Sequence, residues 1–579
     1  MVQVLSRWRP VFHCISNHSW LNDPCAPGYD PTTDTYHLAF QWNPNGAQWA
    51  DMAWGKSTST DVVSWKTSTK PCLDRDTPYD KLGVFTGCFR ATGINGAADG
   101  TLTYLYTAVS KLPIHHSLPY NYGSETLAIA TSKDGGNTWT KLESNPILPG
   151  PPSEINVTGW RDPYVCTWPS LSKALNGSEE ALYGIISGGV VGKGPTSFVY
   201  SVDRSDLTQW RFLGPAIDVG LNFSPSRWTG DQGVNWEVTN FMTLANESRS
   251  RTQDFLIFGA EDCRARYAQE GSLRPNRGQL WLAADVRPQD GSAPSAPFLE
   301  YRYGGVFDHG LCYAANGFYD PKTEQQIVFG WVTEDDLPVD LQIEQNWSGC
   351  LSLPRVVSLM TIDNVVRARA SELESITSIN AESGSNGTKT VSTMRISPDK
   401  RLEALRGAAK KEELSQVSLG PVKEGQLQLP LLTSRWELEA EFAVSNHCQN
   451  VGIVIHHSKD LDMQTRLYWS PSSEDFIIER PNLTISKRTI QFQKESAPHT
   501  LFTVRSAGGE MEEKLRVHAF YDGSVLEVYV NERTVITTRV YTLEERCFGL
   551  GFFAEEADGA QGVPATLTKA TVWDGLVAE

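Results

Sequence analysis

One feature narrows the folds open to this chain more than any other: a turn that recurs at near-constant intervals through its first half. Ser-Thr-Asp-Val-Val-Ser-Trp closes at Trp65, Ser-Lys-Asp-Gly-Gly-Asn-Thr-Trp at Trp139 and Arg-Ser-Asp-Leu-Thr-Gln-Trp at Trp210, so the period is 74 and then 71 residues. Each turn trails an apolar run that carries a tyrosine, in turn Tyr36, Tyr104 and Tyr183. These runs (35–42, 101–109, 181–186, and 254–258 further on) are β-branched or aromatic and bounded by Gly, Pro, Asn and Asp, as short strands are. Units of this length with several strands each fit the radial sheets of a β-propeller, although they exceed the common ~40–50-residue blade. Continued through 254–258 and 326–331, the pattern gives five units over about residues 10–355. The competing reading is a sandwich in which the Asp…Trp turns recur by coincidence.

A propeller places the strand before each of these runs next to its axis. Asp23, the Phe85-Thr86-Gly87 turn, Asp162, Glu237 and Asp308 all fall there. Four of five units are therefore expected to aim a carboxylate at one central pocket. Like charges raise one another's pKa, so acids gather in such a place only when they are used or paired.

Residues 1–365 are thus expected to form a five-bladed β-propeller. From 366 to 430 the character changes to charged, partly helical stretches (370–376 and 400–414) around a Ser/Gly/Asn-rich piece, which reads as a linker. Strand-like runs return over 431–579, at 438–444, 452–456, 476–479, 518–521, 524–530, 534–539 and 549–553. Short strands at this spacing imply a C-terminal β-sandwich. The fold class is all-β.

Charge and chemistry exclude several functions. The formal net charge is −17, whereas nucleic acid and anionic membranes both select a basic face. No apolar stretch approaches the ~20 residues of a membrane span. The opening residues have no apolar leader segment, which makes an intracellular protein the expectation, or a secreted one if a leader has been removed. Ten scattered cysteines without a C-x-x-C read as buried thiols, while eight Asn-x-Ser/Thr sequons merely permit glycosylation. H-E-x-x-H, G-x-S-x-G and the phosphate-binding glycine motifs are missing, so no metal or organic cofactor is implied. His115-His116 and His456-His457 are the only histidine clusters; neighbours on a strand point to opposite faces, which argues against a shared metal.

Three acids remain with their flanks: Trp20-Leu21-Asn22-Asp23-Pro24, Trp160-Arg161-Asp162-Pro163 and Asn235-Trp236-Glu237. Alone, each has a structural explanation, because Asp-Pro starts turns well and a strand Glu commonly faces solvent. Together on equivalent inner strands, each beside a tryptophan, they suit a glycosidic bond. One carboxyl attacks or orients water, and a second, protonated one supplies the leaving oxygen's proton. Indole faces pack on sugar C–H surfaces.

The three blocks in this order resemble glycoside hydrolase family 32, the β-fructofuranosidases. The likeness extends to 36–44, Trp49-Ala50-Asp51-Met52-Ala53-Trp54-Gly55, Phe85-Thr86-Gly87-Cys88, Asp308-His309-Gly310 with Tyr313-Ala314-Ala315, 347–355, and Leu526-Glu527-Val528-Tyr529-Val530-Asn531. The resemblance implies that Asp23 is the nucleophile, Glu237 the acid/base and Asp162 the transition-state stabiliser. It also places Asn22, Gln41, Trp49, Trp54, Phe85, Thr86, Arg161 and Tyr313 around the sugar. Glu237 is then expected to stay neutral at working pH, through nearby carboxylates and a partly dry pocket.

Two departures from the family pattern matter. Asp23-Pro24 continues as Cys25-Ala26 rather than Asn-Gly, and Glu237 is followed by Val238-Thr239 rather than Cys-Pro. Asp-Pro-Cys-Ala, with 111–115 and Gly123-Ser124-Glu125-Thr126, is similar to the fungal fructosyltransferase branch. The leading expectation is cleavage of sucrose with fructosyl transfer to sucrose, giving short fructo-oligosaccharides. A fructan (inulin or levan) hydrolase and a non-catalytic sugar-binding propeller are the alternatives. The expected partner is a small sugar, and homodimerisation is left open.

Overall fold

The strand-like runs of the first half fold as five successive antiparallel sheets. The computed structural model describes residues 2–264, 274–287, 297–421, 428–557, 559 and 562–578. The sheets begin with the strands Ser19–Asp30, Gly83–Arg90, Val157–Thr167, Asn235–Ala245 and Cys312–Asp320. Each of these inner strands packs on the next, and the fifth returns to the first, so the sheets close into a ring as expected of a propeller.

The repeated turn joins the third and fourth strands of the first three sheets. Its aspartate folds back on the backbone: Asp61 Oδ1 accepts the Val63 and Ser64 N–H groups at 2.8 Å, and Asp134 Oδ1 accepts that of Thr138 at 2.9 Å. Its tryptophan then covers an aromatic neighbour. Trp139 stacks on Tyr104 with centroids 3.4 Å apart, Trp210 meets Tyr200 edge-on at 5.6 Å, and Trp65 meets Phe329 of the fifth sheet at 5.8 Å.

Ring closure is made by the 347–355 block. Trp347 and Ser348 pair in parallel with Ser19 and Trp20, while Cys350 and Leu351 pair with Val332 and Trp331 of the fifth sheet. Gly349 bridges them at φ +80°, and a Cβ there would stand 2.2 Å from the Leu21 carbonyl oxygen, so no other residue fits.

The expected linker is a correction. Arg355–Ala368 pairs with Lys389–Pro398, which pairs with Asn380–Ser383, so this part of 366–430 extends the fifth sheet. Within this stretch helix is confined to 3₁₀ turns at Leu373–Ser375, Ser385–Gly387 and Lys400–Arg406, among the described residues. Residues 410–414, expected as partly helical, open Lys410–Leu419, an outer strand of the second domain paired with Ala565–Asp574. Its lysines and glutamates protect an exposed edge and hide the strand alternation. Residues 422–427 lie outside the described residues.

The second domain is two six-stranded sheets over one core that includes Trp436, Phe442, Ile453, Trp469, Val528 and Leu550. All seven runs expected as strands lie on strands or their immediate turns, and Gln464–Ser470 and Ala565–Asp574 are additional. The His456-His457 pair is buried within this domain. A buried charge network docks it on the ring. His13 sits between Asp522 at 2.8 Å and Glu527 at 3.2 Å, and Arg355 reaches Glu527 at 3.0 Å and Asp308 at 2.9 Å.

Asp308 is therefore a second correction. It ends the outermost strand of the fourth sheet, Leu299–Asp308, and accepts the Thr537 hydroxyl of the second domain at 2.7 Å. The fifth inner strand starts only at Cys312, so Tyr313 takes the hub position. Three inner strands bring carboxylates to the centre, not four.

Candidate active site

All five inner strands lose their register at the hub. The breaks fall between Leu21 and Pro24, Phe85 and Gly87, Arg161 and Tyr164, Glu237 and Asn240, and Tyr313 and Asn316. Such bulges bend a strand and re-aim its side chains, and here they fall on the residues singled out in the sequence. Asp162, Val238 and Ala314 have φ of +63°, +47° and +52°. Non-glycine residues there cost roughly 1–3 kcal/mol each, a strain the surrounding sheets must hold. At Gly87 a Cβ would lie 1.9 Å from the Leu105 carbonyl oxygen, so the second strand needs its glycine.

Asp23 is held by three donors. The Thr86 hydroxyl reaches Oδ2 at 2.6 Å, Gln41 Nε2 reaches it at 3.1 Å, and Asn22 Nδ2 reaches Oδ1 at 3.1 Å. Gln41 Nε2 also donates to Thr86 at 2.7 Å, and Asn22 accepts from the Trp20 indole at 3.0 Å. Burial, only partly offset by these bonds and reinforced by the Glu237 charge, raises the Asp23 carboxyl to about 6.

Arg161 organises the facing wall. Its Nη1 binds Glu125 at 3.0 Å, its Nε and Nη2 bind Glu237 Oε1 at 3.0 and 2.8 Å, and its Nη2 also binds Glu261 at 2.8 Å. The Tyr313 hydroxyl donates to Glu237 Oε2 at 2.7 Å. Arg277, paired with Asp335 at 2.7 Å, lies 4.5 Å over the Tyr313 ring. Asp162 accepts the Val238 N–H at 3.0 Å and donates its own N–H to Thr107 at 2.7 Å. Burial drives its carboxyl well above the ordinary range; Arg161 pulls it down, and Glu237 and Asp23 push it further up.

The protonation of Glu237 corrects the sequence expectation. Burial pushes its carboxyl up, but Arg161, the Tyr313 hydroxyl and Arg277 more than offset this and hold it below the ordinary glutamate value. Asp23, not Glu237, is the acid whose proton is held more tightly.

Most predicted site residues converge. Asn22, Gln41, Thr86, Arg161, Asp162, Glu237 and Tyr313 join Asp23 in one hydrogen-bonded and electrostatic network. Phe85 is nearly buried, and Trp49, 48% exposed, meets it edge-on at 6.1 Å as a rim residue. Trp54 differs from expectation. It is 0% exposed, packed on Tyr104 and Tyr106, and its indole N–H holds the Phe85 carbonyl at 3.2 Å, so it positions the Phe85-Thr86 turn from behind.

Glu125, Glu261 and Arg277 were not assigned roles from the sequence. Glu125 stands in the Gly123-Ser124-Glu125-Thr126 block, where it was legible as part of a motif only. Glu261 and Arg277 face each other across two neighbouring strands of the fourth sheet, a pairing with no local sequence signal. Burial first, and then the Glu237 charge, raise Glu261 to about 7. The His115-His116 pair lies in an irregular loop between two strands of the second sheet, so the opposite-faces argument does not apply to it.

This arrangement offers a buried carboxylate backed by neutral donors, a second carboxyl gripped by a guanidinium and a phenol, and a third that feels the charge of both. Two carboxyls facing one pocket can cleave an acetal by displacement and proton transfer.

The model of the glycosyl hydrolases family 32 N-terminal domain matches residues 13–368, and that of the family 32 C-terminal domain matches 401–574. The β-fructofuranosidase insoluble isoenzyme 2 of Oryza sativa subsp. indica is 29% identical over 364 residues, 61% of this chain and 54% of the relative. The matched stretch thus spans about half the length of that curated relative. Over the whole fold, the Aspergillus kawachii β-fructofuranosidase complexed with glycerol superposes with a TM-score of 0.86 at 28% identity, covering 99% of this chain and 95% of the other. The fructosyltransferase from A. japonicus superposes at 0.81 with 25% identity and the same coverage.

Proposed function

The chain belongs to glycosyl hydrolase family 32, and from that premise we propose that it is a retaining β-fructofuranosidase acting on sucrose. The five sheets are read as five blades around the reacting centre. A carboxylate oxygen of Asp23 attacks the anomeric carbon of the fructosyl unit while the glycosidic C–O bond breaks. Glu237 gives its proton to the departing glucose oxygen, leaving a fructosyl ester on Asp23. A water or a sugar hydroxyl then attacks that carbon, Glu237 takes back a proton, and Asp23 is freed. Asp162 binds fructose hydroxyls and stabilises the positive charge that develops on the ring.

The observation that carries this reading is the convergence of Asp23, Asp162 and Glu237 on three bulged inner strands within one electrostatic network. The reacting form needs Asp23 ionised and Glu237 protonated, while Asp23 is the more basic of the two in the free protein. Productive molecules are then the tautomer with the shared proton on Glu237. They disappear as pH rises past the point where the pair loses that proton, near the value of about 6 held by Asp23. Activity is expected to peak on the acid side.

Fructosyl transfer to sucrose is the second half of the proposal. Cys25-Ala26 and Val238-Thr239 leave the three acids in place but alter the floor and wall beside them, and the likeness to the A. japonicus fructosyltransferase supports the same direction. Water and sugar compete for one intermediate, and ~1.4 kcal/mol between their transition states changes the ratio tenfold. Incubation with concentrated sucrose tests both halves. Glucose release with kestose-sized products supports the proposal, equal free glucose and fructose restrict it to hydrolysis, and no glucose overturns it. An α-configured fructose as first product by NMR would contradict the double displacement.

A further inference from the structure

We propose that His115, His116 and Glu261 form a binding site for a divalent transition-metal ion of the zinc class at the mouth of the pocket. The two histidines share a loop of the second sheet, and their rings lie 4.1 Å apart, tilted by 35°. One ligand atom from each and a carboxylate oxygen of Glu261 all lie within 4.8 Å of one another. Glu261 comes from the fourth sheet, so the cluster is a tertiary convergence and not an accident of adjacent residues. Two imidazoles and one carboxylate are a donor set that zinc-like ions accept, leaving a further position for water.

The surroundings favour a cation. Arg161 is shared among Glu125, Glu237 and Glu261, three carboxylates to one guanidinium. Both bonds made by Glu261, from Arg161 and Asn235, converge on Oε2, which leaves Oε1 clear of them. His115 Nδ1 is tied to the Ser117 hydroxyl at 2.7 Å, which orients the ring and leaves Nε2 as the ligand atom. Bonds of about 2.0–2.2 Å require the three atoms to draw together, and His115 is exposed on an irregular loop that can follow. A second group, Glu437, Glu439 and His518, has similar spacing. There, however, Arg406 bonds both glutamates and His518 bonds Glu437 at 2.7 Å, so its ligand atoms are engaged.

Binding rests on this geometry alone; its consequence for turnover rests on the proposed function. A bound ion occupies the rim and draws Glu261 from Arg161, so zinc should inhibit sucrose cleavage. The test titrates the full chain with Zn²⁺ against a chromophoric chelator and reads sucrose turnover in parallel. One equivalent is expected to bind to the unaltered protein. Affinity should fall roughly tenfold or more in His116→Ala and in Glu261→Gln, at least the loss seen on removing outer-shell support from a metal site, and stay unchanged in His518→Ala. Inhibition should weaken in step in His116→Ala. Equal affinity in His116→Ala, or loss only in His518→Ala, overturns the site, as does no binding at all. A chain that binds zinc at this site yet cleaves no sucrose keeps the site and overturns the proposed function.

Discussion

Replacing Tyr313 by phenylalanine removes one hydroxyl and should move the acid limb of the pH–rate profile. That hydroxyl donates to Glu237 Oε2 at 2.7 Å, and with the two arginines it opposes the upward push of burial. A hydrogen bond to a charged group is worth about 1.5–3 kcal/mol, and one pKa unit corresponds to about 1.36 kcal/mol. The full loss would raise Glu237 by about one to two units, and water entering the vacated space restores part of it, so about one unit is expected. The assay is kcat/KM for sucrose, by glucose release, from about pH 3 to about pH 8, since this ratio reports the free protein's groups. The acid limb should rise by about one unit, while the alkaline limb near 6, set mainly by Asp23, moves little. More molecules then carry the proton on Glu237 at any pH between the limbs. An unmoved acid limb in a variant that melts like the parent would refute the assignment of that limb to Glu237.

Other consequences can be checked directly. Asp23→Ala should lose roughly 10⁴-fold or more in turnover with an unchanged melting curve. Glu237→Ala should lose about 10²–10⁴-fold on sucrose, and a fructosyl fluoride, whose leaving group needs little protonation, should restore formation of the covalent intermediate seen by mass spectrometry. Arg161→Met leaves the fully buried Glu125 without its cation, and breaking such a pair costs about 3–5 kcal/mol, read as a lower urea midpoint. Burial pushes Glu527 up, but Arg355 and His13 hold it at about 2 against a reference of 4.5. Its folded value is depressed, so its contribution of about 3 kcal/mol is present above pH 4.5 and lost as pH falls towards 2. Glu527→Gln should flatten that part of the acid unfolding curve.

The ring was legible because its signal is local. An aspartate that must cap a turn and a tryptophan that must cover a neighbour recur in the first three sheets, and both do so in the fold. The acids were legible for the same reason, each with a distinctive flank. The bulges were not, because register is set by the partner strand. That explains why Arg161 and Asp162, adjacent in sequence, both join the network around Glu237: the left-handed Asp162 interrupts the alternation that would have sent them apart. It also explains the misjudged protonation of Glu237, whose like-charged neighbours were visible in the sequence while the reach of Arg161, Tyr313 and Arg277 was not. Asp308 was misplaced because a conspicuous motif sat close to, but before, the start of the fifth inner strand. Residues 410–414 were misread because charged residues on an outer edge carry no hydrophobic period.

The stitch formed by Trp347 and Ser348 against Ser19 and Trp20 has a consequence for synthesis. A ribosome releases the N-terminal strand long before the segment that covers its free edge. Until then the nascent wheel is an open fan with an unpaired β-edge, the kind of surface that recruits strands from other chains. Loop closure over more than three hundred residues comes last and is slow, because that contact gains nothing until the intervening sheets stand. Birth of the pocket and burial of the exposed seam are thus a single late event, and a chain cut short before residue 347 would have neither.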